Sequence, residues 1–140
     1  MRFAIAMDRS LQLSSQPEHI KIDPGNIREC FEECPEVLGP VARLFREDYL
    51  SDLQALRVAF ENGDSVRVAF LAHKIKGSAS YFRADAVTHL AAELEARGEC
   101  GNLTGVAALV DLLGEGLDLV SLVLGEEEQR LAGSRSTDQH

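Results

Sequence analysis

The stretch Leu71-Ala72-His73-Lys74-Ile75-Lys76-Gly77-Ser78-Ala79-Ser80 holds the residues of this chain best suited to chemistry. A neutral imidazole is a nucleophile, and histidine is the side chain whose neutral form is plentiful near pH 7. Lys76 follows His73 by three residues, so on a helix its ammonium lies one turn away. It can reach a phosphoryl group carried on the ring and offset the negative charge of transfer. The chain has no Gly-rich phosphate loop and no Walker-type lysine. Such a site can hold a phosphoryl group and pass it on, but it cannot take one from ATP by itself.

Placed on a helix at about 100° per residue, Val68, Leu71, Ile75, Ala79 and Phe82 gather on one side as a core face. His73 falls on the opposite side. Gly77 lies one turn on and Ser80 two turns on; Ala69 and Phe70 lie one turn back and Val66 two turns back. Lys74 and Lys76 flank the ring. A solvated helix face ordinarily carries long charged side chains, so a low, partly apolar patch centred on an imidazole suits a partner surface. Gly77 fits the same picture. A glycine inside a helix costs about 1 kcal/mol relative to alanine, and here it clears space beside the ring. Close helix packing is the other use for such a glycine, and the outward position argues against it.

The elements that must position this segment are helices. Asp23-Pro24 starts a short one through Ile27 and Phe31, with Asp as cap and Pro at the first helical position, ending near Cys34-Pro35. A first long helix runs from Pro35 or Pro40 to Asn62. Its apolar positions are Val37, Val41, Leu44, Phe45, Leu53, Leu56 and Phe60, and Asn62-Gly63 stops it. Asp64 caps the second, which carries His73 to about Phe82. The third runs from about Asp85 to Arg97 on Val87, Leu90, Ala91 and Leu94, with Gly98 as its end. The fourth starts after Asn102. It carries a heptad-type seam from Leu103 through Val106, Val110, Leu113, Leu117 and Val120 to Leu124, before Gly125 and Glu126-Glu127-Glu128 end it.

These elements predict an all-α fold, an antiparallel up-down four-helix bundle with an additional short N-terminal helix. The expected organisation is a lead-in over residues 1–22 with a short docked piece at Ile20 and Ile22, the bundle over 23–125, and a polar tail over 126–140. Leu109, Leu112, Leu119 and Val123 make a second apolar stripe on the last helix. It either widens the buried face or pairs two copies, and a monomer is expected over a homodimer.

Composition excludes several classes. At 140 residues the chain suits one domain that buries its own core. A net charge of -9 suits neither nucleic acid nor an anionic membrane surface. No run approaches the roughly 18 apolar residues of a membrane span, and the N-terminal apolar run is too short for a signal-peptide core, so the cytoplasm is the expected location. Cys30, Cys34 and Cys100 are odd in number and suit no disulfide framework. With His19, His89 and His140 they offer no metal-like spacing, so no metal site is expected.

His73-x-x-Lys76-Gly77-Ser78, on a helix of a four-helix bundle, resembles the histidine-containing phosphotransfer (HPt) domain of two-component phosphorelays. The resemblance covers roughly residues 36 to 124. It includes Leu90-Ala91-Ala92-Glu93-Leu94-Glu95, which is similar to the family's third bundle helix. The resemblance implies that His73 is phosphorylated, that Lys76 stabilises the phosphoryl group and that Gly77 admits the partner. Phe70, Val66, Ala69, Lys74 and Ser80 would line the docking surface. The implied partner is a receiver domain of a response regulator or hybrid kinase on a separate chain, bringing the phosphorylated Asp and Mg²⁺. The chain itself would need no cofactor and would be a phosphocarrier rather than an enzyme.

Two positions depart from the family pattern. Members often have Gly before the Ala that opens the next helix, where this chain has Arg83 before Ala84. Some place a Gln on the third helix to orient the histidine ring, and Glu95 stands in that region here. A carboxylate there would fix the ring tautomer but also repel phosphate. The alternative function is a docking or adaptor bundle without transfer. The dimerisation region of a histidine kinase suits this chain less, since it has two helices per chain and needs an ATP-binding domain.

Overall fold

A computed structural model describes residues 20–138, with side chains through residue 133. Five α-helices account for most of this span, and no strand occurs among the described residues. They are α1 (Pro24–Glu29), α2 (Leu38–Glu61), α3 (Ser65–Tyr81), α4 (Asp85–Glu99) and α5 (Val106–Asp138), with a 3₁₀ turn over Pro35–Val37 leading into α2. Helices α2 to α5 form the bundle. Each packs on the next, and α5 closes against α2; α3 and α4 make the most extensive pair. The all-α four-helix architecture with a short extra helix is therefore the one found. Most of the lead-in, with His19, and His140 lie outside the described residues.

The helix starts follow from their caps. Asp23 accepts a hydrogen bond from Gly25 N at 2.9 Å ahead of Pro24, and Asp64 accepts one from Arg67 N at 3.1 Å. Gly63 ends the α2 connection at φ +68°, a conformation that glycine adopts without strain. Arg83 holds the α3–α4 turn at φ +58°, where a side chain costs about 1–2 kcal/mol. The left-handed turn is thus kept without glycine. Arg83 pairs with Glu29, and its carbonyl accepts from Asn26 Nδ2 at 3.4 Å, so the turn is tied to α1.

The core is mainly aliphatic. Val68, Leu71, Ile75, Ala79 and Phe82 are buried, as are Val87, Ala91 and Leu94, and Val106, Val110, Leu113, Leu117, Val120 and Leu124. Leu90 and Leu103 are half-buried against them. Ile20 is buried and Ile22 packs on the core, as expected of a docked piece. The second stripe widens the buried face: Val123 is buried and Leu109, Leu112 and Leu119 pack against the core.

Four expectations need correction. Helix α1 stops at Glu29, and Phe31 is buried from the connection beyond it, edge-on to Tyr81 at 6.4 Å. Of the apolar positions expected on the first long helix, Val37 lies in the 3₁₀ turn and Leu44 on α2, and both face solvent, while Ala42, Tyr49 and Ala59 take buried positions on α2. Gly98 does not end α4 but lies buried inside it. The last helix does not stop at Gly125; it continues to Asp138. Glu127 explains part of that continuation. It is 5% exposed, and its carboxylate accepts from Arg28 Nε at 3.0 Å, Arg28 Nη2 at 2.9 Å and Arg130 Nε at 2.9 Å. Arg28 above all, through its hydrogen bonds, holds that carboxyl below the usual glutamate range although burial pushes it up. The triple-Glu run is thus a helical turn anchored on α1.

Candidate functional site

Helix α3 presents His73 with its side chain 69% exposed. The ring is held from one side only. Nδ1 lies 2.9 Å from Glu95 Oε2 on α4. An ionised carboxylate only accepts, so in the neutral ring this contact assigns the proton to Nδ1 and the free lone pair to Nε2. Lys76 Nζ donates to the other oxygen of the same carboxylate, Oε1, at 2.7 Å. Lys76, followed by His73, holds the Glu95 carboxyl below the usual glutamate range, against a burial that pushes it up. His73, Glu95 and Lys76 therefore form one cluster across the α3–α4 seam.

Lys74 turns the other way. Its Nζ donates to Asp52 Oδ1 on α2 at 3.1 Å. The two lysines beside His73 are thus held toward opposite neighbours, and only Lys76 shares a partner with the ring. Asp52 went unseen in the sequence because it sits on another helix, and no local pattern marks it.

The α3–α4 seam is narrow at Gly98. A Cβ there would lie 2.7 Å from Ala69 N and 2.7 Å from Ser65 O, both backbone atoms. Only glycine allows the two helices this approach. Gly77 is the opposite case: a Cβ there would meet nothing within 4 Å. Its missing side chain serves no internal packing, in keeping with the outward position read from the sequence.

The surface around the ring is partly apolar. Val66 is 78% exposed and Phe70 60% exposed, with the Arg67 guanidinium 5.6 Å above the Phe70 ring. Ser80 is also exposed. Ala69 is the exception among the expected docking residues. It is half-buried and faces Gly98 in the α3–α4 seam, because its position on the helix turns it toward α4. On the α2 side, a groove of about 280 Å³ opens beside Gly77 and Ser78, with Leu44, Asp48 and Tyr81 on its walls.

The model of the family described as Hpt domain matches residues 40–123, more than half of the chain. The chain belongs to the Hpt domain family. Neither the curated proteins nor the solved structures yield a match. An Hpt domain is a phosphocarrier of two-component phosphorelays that works with receiver domains, and is not itself an enzyme. His73, Lys76, Gly77 and Glu95 all fall inside the Hpt match, as do all four bundle helices in whole or part. No helix of the Hpt domain, among the described residues, is long and apolar enough to cross a membrane.

Proposed function

We propose that His73 accepts a phosphoryl group at Nε2 from a receiver-domain phospho-aspartate and passes it to another receiver domain. The observation that supports this best is the cluster geometry: Nδ1 is engaged by Glu95, the ring is 69% exposed, and the space beside Gly77 one turn on is open. In the forward step the Nε2 lone pair attacks phosphorus. The N–P bond forms as the P–O bond to the aspartyl carboxylate breaks, and that carboxylate departs as an anion. The ring becomes cationic, and its Nδ1 proton stays in the hydrogen bond to Glu95, whose negative charge offsets the new positive one. The partner supplies the aspartate, and with it the Mg²⁺ that offsets phosphate charge. The chain needs no cofactor of its own for this step.

Lys76 has two roles in sequence. At rest it neutralises Glu95. Once a phosphoryl group sits on Nε2, the ammonium one turn along α3 swings to it, which counters the repulsion between Glu95 and phosphate. Phe70, Val66 and Ser80 form the rim against which the receiver docks, with Lys74 and Gly77 at its edge.

The test is transfer of labelled phosphate from a phosphorylated receiver to wild type, His73→Gln and Lys76→Ala. His73→Gln is expected to take no label. Label on His73→Gln at the wild-type level would leave an adaptor bundle as the better description. Lys76→Ala is expected to keep its helical content and slow transfer about tenfold, the loss of one charge-assisted contact. Unchanged kinetics would remove Lys76 from the mechanism.

A further inference from the structure

We propose that the groove between α2 and α3 selects the receiver: an apolar side chain of the partner lies between Leu44 and Tyr81, and a partner lysine or arginine beside it pairs with Asp48. This rests on the reading of His73 as the transfer site. The groove measures about 280 Å³ and opens beside Gly77, one turn from His73. Phe45, Ile75 and Phe82 line it from the core side. Leu44 on α2 is 59% exposed and Tyr81 at the end of α3 is 53% exposed, so both walls stand open to a partner. Leu44, Asp48 and Asp52 follow one another at four-residue spacing and share one face of α2.

Size and place point to that occupant. Sites that engulf a small molecule measure about 300–1,000 Å³. A smaller, open groove suits one or two side chains carried on a larger surface. Along α3, Val66 lies about 10 Å from His73 in one direction and Tyr81 about 12 Å in the other. A standard interface buries about 800 Å² on each partner, equal to a disc of about 16 Å radius. A receiver centred on His73 therefore covers the groove as well as the Val66–Phe70 rim. The Tyr81 wall is already fixed. Its ring stands edge-on to Phe31 at 6.4 Å and to Phe82 at 5.1 Å, and its carbonyl accepts from Cys30 Sγ at 3.2 Å. Little side-chain freedom is left to lose there on docking.

Charge gives the other half of the partner. Two carboxylates line the groove, Asp48 and Asp52. Asp52 is already neutralised by Lys74 at 3.1 Å. Asp48, exposed one turn away, has no hydrogen-bond or ion-pair partner among the described residues. One free carboxylate thus stands beside an apolar slot, and a cation next to an apolar side chain complements it. A charge at such a rim acts mainly on association and on the choice between partners.

The test is an NMR titration of the full chain with a receiver domain shown to exchange phosphate with it. Leu44 methyl and Tyr81 ring signals should shift. Leu44→Ser and Asp48→Lys, both at exposed positions, should each weaken Kd about tenfold, with the loss in Kd and not in the single-turnover rate at saturating receiver. The Asp48→Lys loss should shrink as salt rises from about 0.05 M to about 0.5 M, and the Leu44→Ser loss should not. Unchanged Kd in both variants, or tighter binding by Asp48→Lys, would overturn the proposal; if His73→Gln still takes no label, the transfer reading stands without it. Leu44 shifts that grow with the concentration of this chain alone would also overturn it, since a second copy would then occupy the groove.

Discussion

Replacing Glu95 asks whether a carboxylate on α4 aims the His73 ring. Glu95→Gln keeps an acceptor oxygen at the same reach and removes the charge; Glu95→Ala removes both. A hydrogen bond to a charged acceptor contributes about 1.5–3 kcal/mol. The 2.9 Å contact is short, but the ring is 69% exposed, which puts this bond at the low end. Since about 1.4 kcal/mol is tenfold in rate, Glu95→Ala is expected to slow transfer about tenfold. Glu95→Gln retains a neutral bond, and about threefold is expected. The assay is single-turnover transfer from a phosphorylated receiver at saturating concentration, so that aim is read in the rate and not in docking. A second readout separates aim from simple structural damage. Ring ¹⁵N shifts of His73 should report the proton on Nδ1 in wild type and in Glu95→Gln, and a mixed tautomer in Glu95→Ala. An alanine variant as fast as wild type, or a glutamine variant slower than the alanine one, would refute the reasoning.

Two glycines should respond in opposite ways. Gly98→Ala forces a Cβ against two backbone atoms at 2.7 Å and should cost about 1–3 kcal/mol, seen as a lowered melting temperature. Gly77→Ala meets nothing and should stabilise α3 by up to about 1 kcal/mol while slowing transfer, which compares stability with activity in one protein. Glu127→Gln should destabilise by about 1–2 kcal/mol at pH 7, a figure reduced from that of a fully buried pair because the Arg28 side chain is 46% exposed. The Glu127 carboxyl is depressed in the folded chain, so its stabilisation is complete above the ordinary glutamate pKa of about 4.3. It is lost as pH falls through the lower folded value. Melting curves of wild type and Glu127→Gln should therefore differ at pH 7 and 5 and draw together only as pH falls through the depressed folded value, below the ordinary glutamate range.

Periodicity made most of the fold legible. The spacing of Val68, Leu71, Ile75 and Ala79 places His73 outward, and Lys76 and Gly77 follow on the same helix. What stayed hidden depends on residues far apart in sequence. Glu127 looks like part of a solvated charge run until Arg28, brought by α1, neutralises it. Gly98 looks like a stop because glycine marks both helix ends and close approaches, and only the facing backbone of α3 decides between them. Leu44 falls within one turn of the buried face, yet the α2–α3 groove leaves it open. Ala69 lies on the edge between two faces, where helical angle alone cannot say which neighbour claims it. The resemblance points to the region of Glu95 on the third bundle helix, but its two-sided contact with His73 and Lys76 is a matter of register between α3 and α4.

That register gives the Gly98 contact a wider meaning. Ala69 stands one turn before His73 on α3, and Gly98 stands one turn after Glu95 on α4. The bare-backbone contact thus acts as a spacer for the His73–Glu95 pair beside it. A hydrogen bond of 2.9 Å is lost by about 3.6 Å, about the extra separation that would move a Cβ at position 98 from 2.7 Å to ordinary contact. Positions 98 and 95 are therefore bound to change together. A chain that acquired a side chain at 98 could keep an aimed histidine only by reaching further from 95, so the two positions should drift as a pair whenever this domain is diversified.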